Sequence, residues 1–217
     1  YSVSLHDDIL SEAEALSAGM ESVFVSQMGI LLDDYGETDT VIECPYQSHG
    51  LKVDGYCHDE ELGHLILITS YFLDEADLSE ARIVRTDVDR EMKRVTNFFN
   101  KCLSGGWKDL KLKNSARDLA ELIEVSGWKL SEVKFLLITD CIAPKEASES
   151  EKIKEIKVSR AVWDIERAYR FYALGEREPI KINFEDYGDG PLDCTVLENK
   201  NNYTTYLAFL PGNALAD

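Results

Sequence analysis

Residues 50–72 read GLKVDGYCHDEELGHLILITSYF, and the whole architecture turns on how this stretch folds. Two runs rich in Val, Ile, Leu, Tyr and Phe, residues 51–58 and 64–72, flank Glu60, Glu61, Leu62 and Gly63. Strand formers on both sides of a polar, glycine-ended turn spell a β-hairpin. The first strand carries an acid in its interior, Asp54, beside Gly55. An ionisable group inside an otherwise apolar strand asks for either a structural or a chemical explanation.

Outward from the hairpin, helical and extended segments alternate. Upstream, Ile9, Ala13, Leu16, Met20, Val23 or Phe24, Gln27 and Leu31 recur at helical spacing, which predicts one helix over 7–35 ending at Gly36. TVIECPYQS (40–48) reads as a strand whose Pro45 places it near an edge. Downstream, Val84, Val88, Met92, Val95, Phe98, Phe99 and Cys102 form the stripe of a helix over 78–104, with Ser79 as its cap. A further helix is predicted over 114–126 and a strand over KFLLITDCI (134–142), apolar on both faces and therefore covered on both. Residues 143–155, APKEASESEKIKE, read as a polar, mobile loop. A strand at EIKVSRAV and a helix at 163–174 follow, with Trp163 packed inward and Asp164 at the helix start. Strands are then predicted at 180–186, 193–199 and 203–210. The expectation is an α/β protein, in detail an α+β mixed sheet. Residues 1–145 form a helix-strand-strand-strand-helix-strand core, and 146–217 a strand-helix-strand extension of the same domain.

Charge is unevenly spread. The net charge is -18, yet residues 1–80 hold 18 Asp or Glu and one base, Lys52, while 81–217 are close to neutral. Nucleic-acid binding relies on Lys and Arg displacing counterions, so residues 1–80 do not suit a polynucleotide surface. They suit a protein partner on an acidic face. Five cysteines without close spacing read as free, mostly buried thiols of a cytoplasmic protein. No apolar run approaches membrane-spanning length. Nothing matches G-x-x-x-x-G-K-[ST], G-x-G-x-x-G or G-x-S-x-G, so nucleotide cradles and serine-hydrolase elbows are not suggested.

Seven pieces in order, SEAEAL (11–16), KVDGY (52–56), LILITSYF (65–72), VTNFFNKCL (95–103), FLLITD (135–140), VWDIERAYRF (162–171) and YLAFLPGNALAD (206–217), resemble the N-terminal region of abortive infection phage resistance (AIPR) proteins of bacteria. The resemblance implies a phage-defence protein, a restriction-endonuclease-like core, and a larger C-terminal domain of the same protein as the first partner. Where such proteins often carry serine-aspartate-aromatic at the end of the second hairpin strand, this chain has Ser70, Tyr71 and Phe72.

Metal-dependent cleavage of a phosphodiester needs two or three oxygen ligands for Mg²⁺ and a group that organises the attacking water. In nucleases of this type the set is a helix acid, a strand Asp and E-x-K on the next strand. Asp54 fits the strand acid. Glu14 and Glu21, seven residues apart, share one helical face, and either fits the helix acid. The next strand reads Thr69-x-Tyr71 in place of E-x-K, and no Lys or Arg lies between Lys52 and Arg82. Lys52, two residues before Asp54, points to the same face and is the one candidate for the missing cation. The candidate catalytic set is Asp54, Glu14, Glu21 and Lys52, with Asp54 and Glu14 as metal ligands. The incomplete pattern favours a non-catalytic domain with no cofactor; an active nuclease would use Mg²⁺ or Mn²⁺. The turn acids Asp59, Glu60 and Glu61 are alternative ligands if they bend back. His58 and His64 read as exposed turn residues rather than a Zn²⁺ pair.

Overall fold

The computed structural model describes residues 2–73, 81–127, 129–144, 150–153, 155–174, 194–198 and 204–208. The chain divides into two units, one through Arg177 and one from Glu178. The first contains helices α1 (Ser2–Leu16) and α2 (Met20–Tyr35), strands β1 (Ile42–Ser48), β2 (Leu51–Asp59) and β3 (His64–Tyr71), then helices α3 (Arg85–Leu103) and α4 (Asn114–Ser126). Strands β4 (Glu132–Thr139), β5 (Ser150–Ile153) and β6 (Ile156–Trp163) and helix α5 (Ile165–Leu174) complete it. In the second unit β7 (Cys194–Glu198) and β8 (Thr204–Ala208) pair antiparallel. The sequence expectations for Ser79, for 180–186 and for most of 206–217 lie outside the described residues.

One mixed six-stranded sheet, in the order β1-β2-β3-β4-β6-β5, organises the first unit. The quoted stretch is indeed a hairpin, and with β1 it makes an antiparallel meander. The β1–β2 turn has two residues, His49 and Gly50, both with positive φ (40° and 79°), the backbone twist that suits a two-residue hairpin. The β2–β3 turn closes through the Asp59 carboxylate, which accepts the N–H groups of Glu61 and Leu62. Strands β4 and β6 run parallel to β3, and α3 with α4 makes the crossover from β3 to β4. Every side chain of the FLLI run in β4 is buried. Phe135 and Leu137 face α3 and α4, whereas Leu136 and Ile138 face the opposite cluster with α1, α2 and Trp163. This is the pattern of a strand covered on both sides.

Two expectations are corrected. The helix over 7–35 is two helices, broken at 17–19, where Ser17 takes a left-handed φ of 53° and Gly19 is extended. The apolar positions keep their spacing because the two helices pack on each other through Ile9, Ala13, Val23 and Phe24. Gly36, with φ 82°, does terminate α2, its N–H bonded to carbonyls of the last turn. The segment 143–155 is not a loop throughout: β5 lies within it and pairs antiparallel with β6 at the sheet edge. Its alternation is too short and too polar to show in sequence. Trp163 and Asp164 behave as expected. Trp163 is fully buried, and Asp164 caps α5 by accepting the Arg167 N–H at 2.9 Å.

Among the described residues no single helix is long and apolar enough to cross a membrane. All five cysteines are free; Cys44, Cys57, Cys102 and Cys141 are buried and Cys194 is exposed.

Candidate functional site

Three features of the meander prepare a polar pocket at the Lys52 end of β2. First, the β1–β2 register slips: Glu43 faces Gly55 and Tyr46 faces Val53, so Cys44 and Pro45 together oppose Asp54. This is a β-bulge on an edge strand, where a proline costs no ladder bond. Second, Val53 and Tyr56 lie three apart yet belong to the same core cluster, which strict alternation forbids. The irregularity sits at Asp54–Gly55. A side chain at 55 has no room, since a Cβ there meets Val41 Cγ1 at 3.0 Å and the Ile42 carbonyl at 3.4 Å. Third, the regular β2–β3 ladder ends at Gly55 opposite Ile68. Beyond it the Ser70 N–H is taken by the Asp54 carboxylate at 2.7 Å, a side chain substituting for a backbone acceptor.

Into this pocket Lys52 projects from β2 and Glu21 from the first turn of α2. The Lys52 Nζ lies 2.7 Å from Glu21 Oε1, 2.8 Å from the Ser70 carbonyl oxygen, 3.1 Å from Ser70 Oγ and 3.4 Å from Asp54 Oδ2. Ser70 Oγ in turn lies 2.8 Å from Glu21 Oε1 and 2.9 Å from Asp54 Oδ2. The side chains of Lys52 and Asp54 are 6% and 9% exposed, and that of Glu21 49%, so the cluster opens to solvent through Glu21 alone. Burial pushes the Asp54 carboxyl above its usual value, with Lys52 and Ser70 opposing the shift. Burial also raises Glu21, but the hydrogen bonds and charge of Lys52 and the Ser70 hydroxyl outweigh it and leave Glu21 below the ordinary range.

Of the residues singled out from sequence, Glu21, Lys52 and Asp54 therefore meet. Glu14 does not. It is exposed on α1, before the break at 17–19, and the shared helical face that paired it with Glu21 exists only in an unbroken helix. Reading Thr69-x-Tyr71 as the counterpart of E-x-K had the wrong parity. Thr69 is buried on the α3 side, and Ser70 is the residue that faces Asp54. The signal was present in the strand: Ile66, Ile68 and Ser70 alternate on one face, with a hydroxyl where the run of isoleucines stops. Asp59, Glu60 and Glu61 stay at the far turn, ~17 Å along β2 from Asp54 by strand rise. His58 shares a face with its partner Leu65, and His64 lies on the other, so the two imidazoles do not form a pair.

Sequence reasoning missed Glu91. It is a carboxylate buried on α3, accepting from Arg90 Nε at 3.0 Å and Arg94 Nη1 at 2.7 Å. The positive charge of Arg94 reaches Glu21 and helps to keep it ionised. Helix α3 is tied to the same end of the sheet by Asn97, whose Nδ2 donates to the Gly50 carbonyl just before Lys52. Among the described residues no three Asp, Glu, His or Cys side chains converge as a metal site. The cluster's only full positive charge in contact with both carboxylates is Lys52.

Residues 24–170 match the model of the abortive infection phage resistance protein N-terminal domain family, about two thirds of the chain. The matched span contains Lys52, Asp54 and Ser70 and begins just after Glu21. No curated protein and no solved structure matches the chain.

Proposed function

This chain belongs to the abortive infection phage resistance family and carries its N-terminal domain, a domain of a phage-defence protein; from that premise we propose that it is a non-catalytic binding and control module on a nuclease-type frame. The frame is supported by the order of elements. An antiparallel meander, two helices and a fourth strand parallel to the third follow the arrangement of a restriction-endonuclease-like core. The observation that carries the non-catalytic reading is the ammonium seated between the acidic pair. Lys52 Nζ lies 2.7 Å from Glu21 Oε1 and 3.4 Å from Asp54 Oδ2, and Asp54 Oδ2 also accepts the Ser70 N–H. The Ser70 hydroxyl lies within hydrogen-bond distance of both oxygens and donates its one proton to either. A divalent ion between the two acids would have to share the space of this buried ammonium, which charge repulsion opposes.

What such a module contacts follows from its surface. Asp7, Asp8, Glu14, Asp33, Asp34 and Asp39 are exposed on and beside α1 and α2, while Lys52, the one base of residues 1–80, is buried. We assign this face to a basic protein partner, with binding that weakens as salt rises. The C-terminal domain of the same protein is the element it would control.

A second reading, a Mg²⁺- or Mn²⁺-dependent nuclease with a rearranged site, is favoured by one observation: a lysine lies within 3.4 Å of both a helix acid and a strand acid. The two readings separate in one assay. The full chain and Asp54→Ala are incubated with plasmid, single-stranded DNA and RNA in Mg²⁺ and in Mn²⁺. Equal background in both is the expected result. Cleavage by the wild type that disappears in the variant establishes the nuclease instead.

A further inference from the structure

The surroundings of the Lys52 ammonium are unusual in kind as well as in number. Two carboxylate oxygens, one main-chain carbonyl and one hydroxyl, all hard oxygen donors, converge on a single nitrogen. That donor set is the one that Mg²⁺, Mn²⁺ and Ca²⁺ select. Charge points the same way. With both acids ionised, Glu21, Asp54 and Lys52 sum to one negative charge. Without the ammonium the ionised pair sums to two, the charge that a divalent cation balances.

From this geometry we infer that Lys52 is a tethered counter-cation standing in the position of a divalent metal ion, so that the pocket is a latent oxygen-donor metal site from which the wild-type side chain excludes metal. The inference rests on the reading that Lys52 occupies the space between the two acids, and it adds what that space would take once freed. Exclusion follows from electrostatics. A second cation beside a buried ammonium is repelled strongly where the dielectric is low, and Lys52 has no other acceptor among the residues it now contacts. The ammonium holds its oxygens 2.7–3.4 Å away, whereas Mn²⁺ and Mg²⁺ draw theirs to roughly 2.1 Å. Glu21, half-exposed on the first turn of α2, is the ligand able to move inward; Ser70 O is fixed by the strand.

The test uses the full chain with Mn²⁺ alone as the probe. Four forms are compared: wild type, Lys52→Ala, Lys52→Met and Lys52→Ala with Asp54→Asn. Free Mn²⁺ is read by electron paramagnetic resonance, and the melting temperature is measured with and without Mn²⁺. Lys52→Ala is expected to take up one equivalent at least tenfold more tightly than the wild type, with a melting temperature that rises with Mn²⁺ concentration. Lys52→Met, which fills the space without charge, and the double variant are expected to do neither. If Lys52→Ala is unfolded alone, Mn²⁺ must restore its far-ultraviolet dichroism. An alanine variant that ignores Mn²⁺, folded or unfolded, overturns the inference, as does wild-type uptake of Mn²⁺ as tight as that of Lys52→Ala. Nucleic-acid cleavage by the wild type is a different failure, that of the non-catalytic reading. A Mn²⁺-binding alanine variant beside an inactive wild type leaves both standing.

Discussion

The two faces of the sheet are built on different principles. Against α3 and α4 the interior is apolar apart from Thr69 and the paired Glu91: Val88, Met92, Val95, Phe98, Phe99 and Cys102 meet Leu65, Leu67, Phe135 and Leu137. Against α1, α2 and α5 a smaller apolar cluster shares its space with two ionic groups. One is Glu21–Lys52–Asp54 with Ser70. The other joins Glu37 to Lys134, with Arg167 stacked 4.3 Å over Trp163. Apolar contacts are many, weak and tolerant, so the first face is stabilised by area. A buried ion network is few, strong and intolerant, since loss of one partner strands another in a low dielectric. The cluster of Glu21, Lys52, Asp54 and Ser70 proposed as the site lies on the second face.

Substitutions on each face test this contrast. The largest effect is expected from Phe98→Ala on the apolar face, which removes a fully buried ring and should cost about 3–5 kcal/mol by urea unfolding. A loss under about 1 kcal/mol would mean that this face is not the principal stabiliser. Lys52→Met comes next. It leaves Asp54 buried beside Ser70 without its cation, with a cost of about 3 kcal/mol. Adding Asp54→Asn to Lys52→Met should recover much of that loss, because no charge is then stranded and the amide oxygen still accepts the Ser70 N–H; a cost that simply adds would refute the network description.

Glu21→Gln is smaller, about 1 kcal/mol at pH 7, because the side chain is half-exposed and the amide keeps an acceptor for Lys52. Its pH dependence is the sharper readout. The native Glu21 lies below its ordinary value of 4.5. The stability it adds is therefore complete above that pH and is lost as pH falls through the lower native value. The difference between wild type and Glu21→Gln should shrink below pH 4.5, and a difference that grows on acidification reverses the sign. Smallest is Thr69→Val. Its hydroxyl is buried on the apolar side with no hydrogen-bond partner among the described residues. Removing it should be neutral or stabilise by about 0.5–1 kcal/mol. A loss above about 1 kcal/mol would show that this face also depends on a polar contact.

Legibility followed the same division. The α3 stripe from Val88 onward, the FLLI run, the hairpin and helix 114–126 were readable because periodicity in a single segment states which face is buried; Val84, counted into the stripe, precedes α3 and is exposed. The break at 17–19 was not, because two helices that pack on each other keep the apolar spacing of one. Strand β5 was hidden by its length and polarity. At the site, Asp54 and Lys52 were found from their separation of two in one strand. Glu21 was one of two alternatives, and only the break in the helix removes Glu14. Ser70 was overlooked in favour of Thr69, since a shift of one residue in a strand exchanges faces.

By itself the amino-acid order determined most of the helices and strands, the buried face of those with a clear period, and that the first third is acidic with a single base. Periodicity is local, written within each segment, and charge is a matter of composition. That this base lies buried among Glu21, Asp54 and Ser70 was decided by tertiary structure alone. The partners come from α2, β2 and β3, and their meeting depends on a helix break and a β-bulge that alter direction rather than composition. A charge pair across 31 residues leaves no periodic trace in the chain.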